Sequence, residues 1–290
     1  PILKILMDSI NERMVSKKNK KIRAAVIAVV ALCVLVSAYV LIYPSVYEYQ
    51  CKLRCFDELE KEITDDILES NIVIVKHEKK EAEGVTNFSW SAGASGVVFA
   101  SRENTYYALT AYHVVKDFEQ AEYIVIPYGA PSYAECRENS ETYLSNTMYY
   151  ERFGTAQVVF AKEEYDLAVI AFQSEKKLSV LPIAEGNPKQ KEEIVVISNP
   201  EGERFACSYG TVRSEEYFVF ESGDDLLPVN TLKHSAYVNH GSSGGAVLNQ
   251  DMEVVGINIG GGSDFWNRFR YGAMVPCEVV KEFLESQEQK

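Results

Sequence analysis

An all-β fold, built as two antiparallel β-barrels, is predicted by three features of the sequence. Apolar runs of about four to eight residues recur between turn-forming residues, and runs that short suit strands better than helices. Tyrosine is abundant, at 18 of 290 residues, and aromatic residues favour half-buried pleated surfaces. A hydrophobic content of 47% supplies core for one large β domain or two small ones.

The N-terminal elements are not β. Residues 1–23 are polar and basic and are expected in the cytoplasm. Residues 24–43 are twenty residues without a charge, enough to span a bilayer core as a transmembrane helix. Lys17, Lys18, Lys20, Lys21 and Arg23 precede them, and the positive-inside rule puts everything after the span outside the cytoplasm. A cleaved signal peptide would have a shorter apolar core of about 7–15 residues ending in a small-x-small site. Here bulky Tyr43, Val46 and Tyr47 surround Pro44, so an uncleaved single-pass anchor in the cell membrane is expected. Residues 44–70 read as a short helical stalk, with Leu59, Ile63, Ile67 and Leu68 set among acids.

The remaining residues, 71–290, read as one domain. The first barrel, about 71–172, begins with the strand Asn71–Lys76 and a charged loop, Lys79–Asn87. The strand Ser95–Ala100 and its hairpin partner Tyr106–Thr110 follow. Residues 117–153 form an insertion-bearing loop around the apolar run Tyr123–Ile126, and Ala156–Ala161 with Leu167–Phe172 close the barrel. Gln173–Lys177 is a linker. The second barrel, about 178–275, contains Glu193–Ile197, Arg204–Val212, Phe218–Glu221, Ala246–Leu248, Val254–Ile259 and Tyr271–Val275. A helix over 276–288 ends the chain, with Val279, Val280, Phe283 and Leu284 on one face.

Charge excludes one class of partner. The net charge is −13, and binding a phosphate backbone needs clustered Lys and Arg. Seven of the 29 basic and two of the 42 acidic residues fall in residues 1–43, so the rest carries a net −18. No CxxC or paired-histidine spacing occurs, so no metal and no cofactor is expected. The five cysteines beyond the span are read as free thiols or a single optional bridge.

The chemistry centres on Gly241-Ser242-Ser243-Gly244-Gly245. Glycines permit a tight turn with no side-chain crowding around the serines. Such a turn can aim the N–H groups of Gly241 and Ser243 at one point, the geometry of an oxyanion hole. A serine hydroxyl needs a base beside it to act as a nucleophile. His113 follows Thr110-Ala111-Tyr112 at the end of one strand, and Asp166 heads the apolar run Leu167–Phe172. A glycine-rich hairpin with incidental serines is the plain alternative. His234 and His240 are read as ordinary loop residues.

Thr-Ala-x-His, Asp-Leu-Ala-Val and Gly-x-Ser-Gly-Gly, in that order and followed by Val255-Gly256-Ile257-Asn258, resemble a trypsin-like (chymotrypsin-fold) serine protease, most closely the HtrA/DegP type. The resemblance spans roughly residues 71–288 and implies a serine endopeptidase acting on extracytoplasmic proteins or peptides. Ser243 is then the nucleophile, His113 the general base and Asp166 the group that orients it. Tyr237 and Val238 fall where such proteases build the pocket for the residue before the scissile bond. With no acid there, an apolar residue is expected in it, unless Asp224, Asp225 or Asp264 swings in. Gly256, Ile257 and Asn258, within the run Gly256 to Gly260, are expected to offer a strand edge to an extended substrate. Many HtrA-type proteins continue into PDZ domains, and the helix over 276–288 is expected without one. A pseudoprotease, or a peptide-binding envelope scaffold, would share the fold without the hydrolysis.

Overall fold

The computed structural model describes residues 28–29, 31–39, 56–82, 85–91, 93–139, 144–221 and 228–287. The chain divides into two units, Pro1–Gln50 and Cys51–Lys290. Within the first, the described residues are helical and carry exposed apolar side chains all round, including Leu32, Leu35 and Val36. The remainder of the expected span lies outside the described residues. Among the described residues, no helix is long and apolar enough to cross a membrane.

The second unit is built from two seven-stranded antiparallel sheets. The first has the order β2-β1-β3-β4-β7-β6-β5 and closes by pairing β1 with β5. Its strands are β1 (Asn71–Ala82), β2 (Val85–Trp90), β3 (Ala94–Arg102), β4 (Thr105–Ala111), β5 (Glu122–Pro127), β6 (Thr155–Lys162) and β7 (Leu167–Gln173). The second sheet has the order β10-β11-β14-β13-β12-β8-β9. Its strands are β8 (Glu193–Ser198), β9 (Ala206–Thr211), β10 (Phe218–Phe220), β11 (Val229–His234), β12 (Ala246–Leu248), β13 (Val254–Ser263) and β14 (Phe269–Pro276). An isolated bridge from Val212 to His234 draws its two ends together.

Burial explains the strands. Val97, Leu109, Leu167 and Val169 from the first sheet meet Val195, Ile197, Ala246 and Ile257 from the second in one apolar cluster. Each large aliphatic side chain taken fully out of water contributes roughly 1.5–3 kcal/mol. A separate cluster of Ile72, Val98, Tyr106, Val125 and Ile170 fills the first barrel.

Four segments differ from the sequence reading. The expected charged loop Lys79–Asn87 is largely strand, because β1 continues and pairs with β2 through Lys79↔Phe88 and Glu81↔Thr86. The insertion 117–153 holds two short helices, Tyr133–Glu138 and Asn146–Tyr150, each N-capped by a serine, Ser132 and Ser145. The stalk is not a free spacer over its described part. Leu59, in the helix Asp57–Glu62, is fully buried, and Phe56, Ile63, Ile67 and Leu68 pack on the same cluster. β11 was not expected at all. Its sequence, VNTLKH, has two apolar residues in six, and only the sheet reveals how much of it is buried.

The helix after β14, α1 here (Cys277–Glu285), buries Cys277, Val280 and Phe283. Phe283 stacks on Phe160 of β6 at 4.8 Å and leans on Tyr165 at 5.9 Å. The described cysteines Cys33, Cys136, Cys207 and Cys277 are free thiols. Among the described residues, no His/Cys/Asp/Glu group is arranged to hold a metal ion.

Candidate active site

Strand register brings His113 and Asp166 together. β4 and β7 are antiparallel neighbours, and Ala111 pairs with Leu167 at their shared end. The residues just past Ala111 and just before Leu167 therefore emerge side by side. Tyr112 N–H donates to the Asp166 carbonyl at 3.0 Å, which fixes the two turns to each other. Asp166 sits in the left-handed region, φ 47°, closing a 3-10 turn over Glu163–Tyr165. Asp and Asn tolerate that conformation better than most residues. Its carboxylate accepts from the His113 backbone N–H at 3.0 Å and meets His113 Nδ1 at 2.8 Å through Oδ2 and 3.0 Å through Oδ1. With Nδ1–H bound to a buried carboxylate, Nε2 is the nitrogen left to take a proton.

Ser243 comes from the other barrel. Its turn precedes β12 and is held by several independent bonds. Ser95 of β3 donates its N–H to the Ser243 carbonyl at 2.9 Å and its hydroxyl to the Gly241 carbonyl at 2.7 Å. Gly244 N–H donates to the Asn258 carbonyl at 2.7 Å, Asn258 N–H to the Gly245 carbonyl at 2.9 Å, and Asn258 Nδ2 to the Ser242 carbonyl at 2.9 Å. Two glycines make this close approach possible. A Cβ at Gly244, φ 84°, would stand 2.0 Å from the Ser95 carbonyl oxygen, and one at Gly241, φ 95°, 2.3 Å from that of Asn199.

The two serines are easily told apart. Ser242 is buried, and its hydroxyl bonds the Asn239 N–H and Ser198 Oγ. Ser243 and His113 line one cavity of about 960 Å³ together with Val238, Asn239, Phe220, Phe269 and Tyr271. Ser243 Oγ donates at 3.4 Å to the Ile259 carbonyl. Such long contacts are common in substrate-free sites and tighten when substrate binds. Among the described residues, the N–H groups of Gly241 and Ser243 make no hydrogen bond. The His240 carbonyl beside them accepts from Glu201 N–H at 2.7 Å.

The other expected site residues are distributed differently. Val238 lines the cavity, while Tyr237 lies behind it, edge-on to Phe269 at 5.3 Å. Gly256, Ile257 and Asn258 were expected to offer a free strand edge, and they do not. β13 is paired on both sides there, with β12 through Ala246↔Ile257 and Val247↔Gly256 and with β14 through Asn258↔Met274. The stretch of β13 that borders the cavity is Ile259–Ser263, beyond the end of its pairing with β12. Asp264 is not a pocket acid, because Arg268 and Arg270 both bind it, and the Arg268 bond leads in holding its carboxyl well below the usual range. Asp224 and Asp225 lie outside the described residues.

A residue with no expected role completes the frame. His234 is fully buried, and its Nε2 meets Asn258 Oδ1 at 3.2 Å. Asn258 Nδ2 is committed to Ser242, so Oδ1 is the acceptor and Nε2 carries the proton. Burial pushes the His234 pKa down to about 4. A neutral imidazole therefore backs the Ser243 turn.

A family model described as a trypsin-like peptidase domain matches residues 94–257, more than half of the chain. The chain belongs to the trypsin-like peptidase family. This trypsin-like peptidase domain is 28% identical over 133 residues to serine protease HTRA1 of Xenopus tropicalis, covering 44% of this chain and 27% of that one. It is 27% identical over 205 residues to a serine protease HtrA-like of Staphylococcus haemolyticus, covering 68% and 28%. The chain thus spans less than a third of the length of these relatives. Among solved structures, an HtrA-type protease AlgW with a decapeptide superposes at a TM-score of 0.56 with 17% identity, over 78% of this chain and 65% of that one. The active form of the Rv3671c protease from Mycobacterium tuberculosis superposes at 0.53 with 19% identity, over 75% and 81%. At that identity the structures speak for the two-barrel fold.

Proposed function

We propose that the protein is a serine endopeptidase that cuts extracytoplasmic proteins or peptides through an acyl-enzyme formed on Ser243. The observation that carries this reading is the Asp166–His113 pair facing the cavity that also holds Ser243. In this reading His113 Nε2 takes the Ser243 proton as Oγ attacks the scissile carbonyl. The tetrahedral oxygen is held by the N–H groups of Gly241 and Ser243. The imidazolium then gives its proton to the leaving amine, and water repeats the sequence to release the acid. Asp166 keeps the imidazole in the correct tautomer throughout.

The residue before the scissile bond would enter a wall of Val238, Phe220 and Phe269, where a small apolar side chain fits. A cation without a partner there would carry a desolvation cost of several kcal/mol. The apolar surface of the helical residues among 28–39 supports an uncleaved membrane anchor over 24–43, with the N-terminus in the cytoplasm and the peptidase outside. The decisive test is fluorophosphonate labelling together with hydrolysis of a peptide library. Wild type should label at Ser243 and cut after Val, Ala or Leu, and Ser243→Ala should do neither. A chain that binds peptides with no labelling and no cleavage would be a pseudoprotease.

A further inference from the structure

The turn between β13 and β14 carries two exposed aromatic side chains that the site as described does not use. Phe265 is 95% exposed and Trp266 54% exposed, and their rings meet edge-on at 5.9 Å. The turn that presents them is tightly held. Asp264 Oδ1 accepts from the backbone N–H groups of Trp266 and Arg268, and its Oδ2 accepts from Arg268 Nε at 2.6 Å and Arg270 at 2.8 Å. The Arg268 guanidinium lies over the Trp266 ring at 4.6 Å. Two large apolar side chains on a rigid turn, facing water, mark a contact surface.

The position of the turn names what would cover it. It continues from the stretch of β13 that borders the cavity, and Ser263 and Asn267 on either side of it line that cavity. Every pairing within the named strands of both sheets is antiparallel. A peptide added along Ile259–Ser263 in the same sense would run its C-terminal end toward Ile259 and Ser243, and its N-terminal end toward Phe265. At about 3.3 Å per residue the strand from Ile259 to Ser263 runs roughly 13 Å, and Phe265 stands in the turn two residues past its end.

We propose that Phe265 and Trp266 form a distal subsite for an apolar side chain of the bound peptide, roughly five to seven residues upstream of the scissile bond. The proposal rests on the peptidase reading above. It assigns this surface to the substrate chain, not to a lipid surface or a second copy. Binding there strengthens attachment of long, apolar-rich segments and does nothing for short ones.

The test uses the full chain and two fluorogenic peptides identical around the scissile bond. The long one extends about eight residues upstream with Leu at the distal positions, and the short one extends about four. Wild type should favour the long peptide by about tenfold in kcat/KM, mostly through KM. The double variant Phe265→Ser/Trp266→Ser should show no length preference, and replacing the distal Leu by Asp should remove the preference in wild type. Affinities of the Ser243→Ala chain for the same peptides provide a second readout that needs no catalysis. A length preference retained in the double variant overturns the subsite and leaves the peptidase standing. Binding that depends on length and on Phe265, with no cleavage by wild type, keeps the subsite and removes the peptidase. Loss of vesicle binding or of self-association in the double variant, with peptide preference unchanged, assigns the surface elsewhere and overturns the proposal.

Discussion

Lowering the pH from 7 to 5 should destabilise this protein through His234. The group is fully buried with a pKa pushed down to about 4, against an ordinary 6.5. Because the folded value is depressed, the neutral ring's contribution is fully present above pH 6.5 and is lost as pH falls toward 4, where only the unfolded chain takes up the proton. The full shift corresponds to about 3 kcal/mol, and about 2 kcal/mol of it is lost by pH 5. For a domain of this size that lowers Tm by roughly 4–8 °C. Carboxylates also titrate in this range, so the measurement is a difference. Urea unfolding is followed by circular dichroism at several pH values for wild type and His234→Gln. Glutamine keeps a donor for Asn258 Oδ1 and cannot titrate. It will cost a roughly constant 1 kcal/mol or so for the space the ring leaves above Gly272. Wild type should therefore lose its advantage over the variant between pH 7 and pH 5. If both lose stability in parallel, His234 is not the titrating group and the buried neutral ring is wrong.

Three further outcomes follow from the site. Ser243→Ala and His113→Ala should lower peptide turnover by roughly a millionfold and Asp166→Asn by roughly ten-thousandfold, read as kcat with a peptide substrate. Ser95→Ala removes the donor to the Gly241 carbonyl and the acceptor for Asn199 N–H and Nδ2. It should cost about 1–3 kcal/mol in urea unfolding and lower kcat more than it raises KM. Carbonate extraction of membranes should leave the full chain in the pellet and release a chain beginning at residue 56.

The candidate site was legible where local backbone chemistry marks a turn. Gly241, Gly244 and Ser243 stand out because a serine among glycines is a turn with a purpose. His113 and Asp166 stand out because each sits where an apolar strand meets a polar turn. What escaped was set by pairing across the chain. Gly256-Ile257-Asn258 reads as a free edge in one dimension, yet β12 and β14 occupy both of its sides. A lone histidine such as His234 carries no local signal, and only its burial against Asn258 gives it a task. β11 and β2 were hidden because polar residues join a backbone ladder as readily as apolar ones, and in β11 Thr231 and His234 are buried beside Val229 and Leu232.

The packing of Phe283 against Phe160 and Tyr165 has a consequence for synthesis on the ribosome. Strands β1 to β7 emerge together and can pair among themselves, so His113 and Asp166 can meet early. The 3-10 turn that carries Asp166 nevertheless keeps one apolar side bare until α1 arrives, after both barrels have been made. A nascent chain stalled after β13 would already hold the Ser243 turn, with Asn258 in place, yet lack the helix that packs on the Asp166 turn. Protection of the Asp166 amide from hydrogen exchange should accordingly rise further in chains long enough to expose residue 285. Assembly in that order delays completion of the Asp166 turn's packing until translation has passed the second barrel.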